Sequence, residues 1–217
     1  LGRGNHDILR DPVCPAEVDY LLVESTYGNR SHEPSGDVND QVCAMINRAV
    51  ERHGKIVIPA FSVGRTQRLL ETLHELITEG CIPAIPIFVD SPLSSRVTDV
   101  FRRHPECYNP EFYDVMLNAS NPFSMTNLTY TASVEESIAL NDRAGPMIII
   151  SASGMAEAGR IRHHIKNTIG DDRNLILIVG WCAPHTLGSR LASGHQDRKS
   201  TRLNSSHSSV SRMPSSA

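Results

Sequence analysis

A chain of 217 residues with 40% hydrophobic and only 5% aromatic content is long enough for one large or two small domains and can bury a core. Its formal net charge of -3 excludes polyanion binding through the field of the whole molecule, so a nucleic-acid partner would need a local basic patch. No run approaches the ~18 apolar residues of a membrane span and no signal peptide is visible. Five scattered cysteines, Cys14, Cys43, Cys81, Cys107 and Cys182, form no C-x-x-C pair. They predict a reducing, cytoplasmic setting with neither a disulfide framework nor a thiolate zinc site.

The chain starts at Leu1 without a methionine and reads as the edge of a fragment. Leu1 to Pro15 is irregular, with Asp11-Pro12 and Cys14-Pro15 as turn signals, and Val18 to Val23 predicts a short strand. Glu24 stands at the end of that strand, either as a surface or capping group or as a carboxylate of a site; Arg30 and His32 follow in a polar loop. Val42, Met45, Ile46 and Ala49 recur at helical spacing between Asp37 and Arg52, and Gly54 closes the helix.

Lys55 to Ala60 predicts a strand, followed by the turn Phe61-Ser62-Val63-Gly64-Arg65 and a helix carrying Leu69, Leu70, Leu73, Leu76 and Ile77. Ser62 and Arg65 could grip an anion, and Arg65 could equally be a solvated first-turn charge. Ile85 to Val89 is a third strand, running into Asp90-Ser91-Pro92, with Asp90 read first as a cap or turn residue and Pro92 in the first turn of a helix reaching His104. Pro105 to Thr131 reads as a long excursion with one short helix at Glu111 to Leu117, and Ser133 to Asn141 as a helix with Glu135 and Glu136 at its amino end.

Met147 to Gly170 repeats the strand, small-residue turn and helix. Met147 to Ile150 suits a strand buried on both faces; Ser151, Ser153 and Gly154 occupy the turn, where a helix amino end favours an anion. Arg160 and His164, four apart, share a helix face, whereas the adjacent His163 and His164 diverge by about 100 degrees and make a poor ligand pair. The bland alternative for this unit is an ordinary turn with hydroxyl caps. Asn174 to Val179 is a fifth strand and His185 to Leu191 a last helix. The alternation predicts a right-handed, doubly wound parallel sheet with ligands at the carboxyl ends of its strands. Asp197 to Ala217 is serine-rich and aperiodic, and is expected to be unstructured.

Five motifs in order carry a resemblance: ESTYGNR at Glu24 to Arg30, PAFSVGRTQ at Pro59 to Gln67, DSPL at Asp90 to Leu93, SASGM with GRIRHH from Ser151 to His164, and VGW with TLGSRL from Val179 to Leu191. Together they resemble the β-CASP metallo-β-lactamase family, on the RNA-processing branch that includes RNase J and the messenger-RNA 3′-end cleavage nucleases. The resemblance implies a doubly wound, mostly parallel α/β β-CASP sheet flanked by helices (residues 29–193). It is attached to part of an αββα metallo-β-lactamase domain (residues 1–28), with an unstructured tail over 194–217. That tail also resembles translated sequencing adapter, so neither His195 nor His207 is counted as a ligand.

By the same resemblance the intact protein holds two zinc ions and hydrolyses single-stranded RNA through a zinc-bridging water. The family's HxHxDH, SGD, FSAH and HGE ligand segments have no match here, so the fragment is expected neither to hold catalytic zinc nor to cleave RNA. Glu24 matches the acidic residue that orients a catalytic histidine. Ser62, Gly64, Arg65, Ser151, Ser153 and Gly154 match the loops facing the RNA cleft, and Arg160 and His164 join them as candidate substrate-binding residues. Asn29, where Asp is common, and Trp181 to His185, where a glycine-rich stretch is usual, depart from the family pattern. A homodimer of the intact protein is a further expectation. The competing readings are a non-catalytic RNA-binding scaffold of the same fold, and a nucleotide-binding domain, the latter without G-x-G-x-x-G or Walker support.

Overall fold

The computed structural model describes residues 7–23, 25, 28, 38–117, 121–194 and the backbone of 209–212. Three apolar runs with no polar alternation, β1 (Lys55–Pro59), β4 (Met147–Ser151) and β5 (Leu175–Ile178), sit side by side at the centre of a parallel sheet, where both faces are covered. β2 (Ile87–Val89) and β3 (Leu128–Tyr130) extend the sheet beyond β4, and β6 (Ser209–Arg212) pairs with β5, giving the order β3-β2-β4-β1-β5-β6. β1 and β4 run in register from Lys55 beside Met147 to Pro59 beside Ser151.

The two-residue alternation along the strands divides the core. Ile56, Ile58, Ile148, Ile150, Leu175 and Leu177 face one side, packed against α1 (Val38–Glu51), α2 (Arg65–Thr78) and Phe112 of α4 (Pro110–Leu117). Val57, Ile149, Ile176 and Ile178 face the other, covered by α5 (Val134–Asp142), α6 (Ile161–Thr168) and α7 (Leu187–Ala192). α3 (Pro92–Arg103) joins the first layer through Phe101 and starts at an N-cap, Ser91, whose side chain accepts from Ser94 N.

Four expectations are corrected. Val18 to Val23 is not a strand: the run is unpaired and its apolar side chains are exposed, because no neighbouring strand among the described residues supplies a ladder. The excursion after α3 contains β3, a three-residue edge strand too short and too exposed to show an apolar run. Ser209–Arg212, inside the stretch expected to be unstructured, forms β6, because the outer edge of β5 offers unpaired backbone groups to an extended segment. Cys43 and Cys81 form a disulfide, since packing of α1 beside α2 brings their Cα atoms to 6.0 Å, a proximity that a 38-residue separation in sequence cannot reveal.

Candidate nucleic-acid interface

After β1 the chain passes to α2 on one face of the sheet, and after the adjacent β4 it passes to α6 on the other. Two neighbouring parallel strands whose helices depart to opposite faces leave a crevice beyond their carboxyl ends, the usual ligand position of an open α/β sheet. The lips are the β1–α2 turn, carrying Ser62, Gly64 and Arg65, and the β4–α6 loop, carrying Ser151, Ser153, Gly154 and Arg160. Six residues from two distant stretches, with Arg160 beside them, are thus brought to one edge; His164 lies on the helix behind.

The lips touch. A Cβ on Gly154 would stand 2.7 Å from the Phe61 ring, so only glycine lets this loop lie flat against that ring. Gly64 caps the amino end of α2 at φ +73, a left-handed conformation that glycine adopts without strain. On the first lip Thr66 Oγ1 donates to Phe61 O, and Gln67 Nε2 donates to Ser62 O (3.3 Å) and Thr98 Oγ1 (2.9 Å). The buried Ser62 Oγ lies 3.4 Å from Ser91 Oγ. On the second lip Ser153 Oγ accepts from Glu157 N at 3.2 Å, and the peptide before Ser153 is cis. The β5–α7 loop closes one end of the crevice: Gly188 N donates to Met155 O at 2.9 Å, Leu187 N to Glu157 Oε1, and Gly180 Cα faces the Arg65 guanidinium. Beside it Pro184, His185, Ser189, Arg190 and Ser193 line an open pocket of about 470 Å³.

Behind the second lip lies a polar cluster around Asp90, which is fully buried. Its Oδ1 accepts from Arg160 Nη1 at 2.7 Å and from Thr131 Oγ1; its Oδ2 accepts from Ser137 Oγ and His164 Nε2, both at 2.6 Å. Ser151 Oγ donates to Asp90 O at 2.8 Å, and His164 Nδ1 faces Asn141 Oδ1 at 3.1 Å. Burial pushes the Asp90 carboxyl up, but the bonds from His164, Ser137, Thr131 and Arg160 outweigh it and hold the group well below the usual carboxylate range. One ionised carboxylate therefore ties the ends of β2 and β3 to α5 and α6.

The cluster changes the place of two expected substrate contacts. His164 has no exposed surface and both ring nitrogens have internal partners, while Arg160 sends Nη1 to Asp90 and Nη2 to Ala132 O at 3.2 Å. Sequence reasoning missed Asp90 itself. The available signal was that Ser91 can cap α3 alone, which frees the carboxylate one residue earlier for other use. Glu24, and the loop with Arg30 and His32, lie outside the described residues. Among the described residues no three His, Cys, Asp or Glu side chains gather as metal ligands would, so the metal implied by the family has no fitting site among them. No helix among them is long and apolar enough to cross a membrane.

A parallel α/β sheet with paired glycine- and serine-bearing lips at its switch point is the architecture of a β-CASP domain, and the chain belongs to the β-CASP metallo-β-lactamase family of RNA nucleases. Residues 66–191, more than half of the chain, match the Beta-Casp domain. A ribonuclease of Thermus thermophilus is 35% identical over 88% of this chain and 44% of its own length. The RNase J-like protein of Methanocaldococcus jannaschii is 31% identical over 83% of this chain and 41% of its own length. The cleavage and polyadenylation specificity factor subunit 3 of Dictyostelium discoideum is 32% identical over 82% and 23%. The chain thus spans less than half the length of these relatives.

Proposed function

We propose that this chain is the substrate-cleft part of a zinc-dependent ribonuclease and that the crevice between the β1–α2 and β4–α6 lips holds single-stranded RNA. The observation that carries the reading is the meeting of Arg65, Gly64, Ser153 and Gly154 at the carboxyl ends of two adjacent parallel strands. Names of relatives as ribonucleases support the reaction class. In this arrangement Arg65 pairs with a phosphate through its planar fork, Gly64 and Gly154 let the RNA backbone approach, and the Ser153 hydroxyl donates to a phosphate oxygen. Ser62, Ser151, Arg160 and His164 act as positioning residues, holding the two lips at their separation through Ser91 and Asp90.

Residues 29–193 form the β-CASP domain in this reading and residues 1–28 belong to the metal domain, where Glu24 orients the catalytic centre. When bound, zinc would supply an activated water and charge stabilisation at the scissile phosphate. The described residues offer it no ligand set, and their part is to bind and orient the strand. The test is fluorescence anisotropy with a labelled single-stranded RNA at low salt. Binding by the chain and a loss of about tenfold in Arg65→Ala, roughly one charge-assisted contact, are expected; absent binding, or unchanged affinity in the variant, would sink the reading. Metal analysis of the purified chain should give zinc near background, and stoichiometric zinc would place ligands in this chain after all.

A further inference from the structure

α6 presents an outer face with two cations, Arg162 and Lys166, that starts at the rim of the crevice. Ile161, His164, Ile165 and Thr168 are its buried side, leaving Arg162, His163, Lys166 and Asn167 exposed to solvent. The helix contains no acidic residue. Among the described residues Arg162 and Lys166, like Arg48 on α1, join no ion pair and are open to an outside anion.

One of the two cations runs against local preference. Arg162 lies in the first turn, where the helix dipole disfavours a cation by about 0.3–1 kcal/mol and no side chain caps that end, whereas Lys166 in the last turn follows the rule. α5, packed beside α6, obeys the rule, with Glu135 and Glu136 in its first turn and a capping box between Ser133 and Glu136. A local rule broken without a gain inside the fold marks a face kept for a partner. On the opposite side of the sheet α2 carries Glu75 and Glu79, with Asp7 paired to Arg68 and a Glu71 carboxyl that burial pushes up. α2 thus offers an anionic strand less attraction than α6 does.

We propose that the outer face of α6 is a second RNA contact, in which Arg162 and Lys166, one turn or about 6 Å apart along the axis, neutralise phosphates of the strand beyond the crevice. The strip runs from Arg160 at the carboxyl edge back toward the amino edge and ends at Asp171 and Asp172. The inference rests on the RNA reading of the crevice, and the experiment separates the two.

Binding of a short single-stranded RNA that fills only the crevice and of a longer one would be measured against salt. The proteins are the parent chain, the double variant Arg162→Ala/Lys166→Ala, Arg65→Ala, and Arg48→Ala as an exposed control on α1. For the longer RNA, the double variant should make the slope of log K against log salt shallower by about 1.4, at roughly 0.7 per phosphate contact on a single strand. Arg48→Ala should leave the slope unchanged, and the short RNA should not distinguish the double variant from the parent. An unchanged slope in the double variant, with Arg65→Ala still weakening binding, overturns the α6 contact and leaves the crevice standing. No RNA binding by the parent chain overturns both.

Discussion

The two strand–turn–helix units that build the crevice look alike in sequence, each an apolar run, a small-residue turn and an arginine at the start of a helix, yet they are held in different ways. The β4–α6 loop rests on an ionised, fully buried carboxylate satisfied by four side chains. The β1–α2 turn rests on neutral hydrogen bonds from Thr66 and Gln67, and one atom of that set, Gln67 Oε1, is buried with no partner among the described residues. Their arginines take different places: Arg160 is tied to Asp90, and the half-buried Arg65 lies beside Gly180. The same local pattern thus yields one rigid lip, built on charge, and one lip held by weaker contacts.

The largest expected effect follows from breaking the charged anchor. Asp90→Ala leaves the Arg160 guanidinium without its buried carboxylate and the donors of His164, Ser137 and Thr131 without their acceptor, a class of change that costs about 3–5 kcal/mol. Urea unfolding of variant and parent checks it, and a loss below about 1 kcal/mol would show that the cluster is not the anchor. The neutral anchor should matter less. Gln67→Met keeps the volume, removes the donors to Ser62 O and Thr98 Oγ1, and also removes the unpartnered oxygen, so a loss of about 1 kcal/mol or less is expected in the same measurement. Equal losses in the two variants would erase the distinction between the lips.

The framework of these units was legible because strands buried on both faces read as unbroken apolar runs, and the turns between them as clusters of glycine and serine. The anchor was not. Asp90 meets Thr131, Ser137, Arg160 and His164 across 41 to 74 residues of sequence, and no spacing rule reaches that far. The four-residue spacing of Arg160 and His164 predicts a common direction, and both side chains do reach one group, the buried Asp90 carboxylate, which the sequence presents only as a cap or turn residue. β3 escaped for the opposite reason: at a sheet edge, half-exposed Leu128 and Tyr130 need no apolar run around them. The apolar run Val18 to Val23, in contrast, looked like a strand and lies unpaired, since hydrophobicity reports what a segment could bury and not which strand it meets.

An effect seen only as a pH dependence sharpens the contrast between the outer faces of α2 and α6. Burial pushes the Glu71 carboxyl up, the charges of Glu75 and Asp7 and a hydrogen bond with Glu75 push it further, and Arg68 opposes them, leaving it at about 8. The folded chain then holds a proton that the unfolded chain releases near the ordinary value of 4.5. This contribution to stability is fully present below that value and is lost as pH rises through about 8. Glu71→Gln removes the titration, so the variant should gain on the parent as pH rises from 5 to 9; the undiscounted shift is worth about 4 kcal/mol, and solvent screening of this partly exposed carboxyl reduces that to on the order of 1 kcal/mol, or about 2–4 °C in Tm. A gain that is the same at both ends of that range would mean that Glu71 is ionised throughout. The acidic face of α2 would then carry its full negative charge at neutral pH, and the contrast between the outer faces of α2 and α6 would be at its strongest.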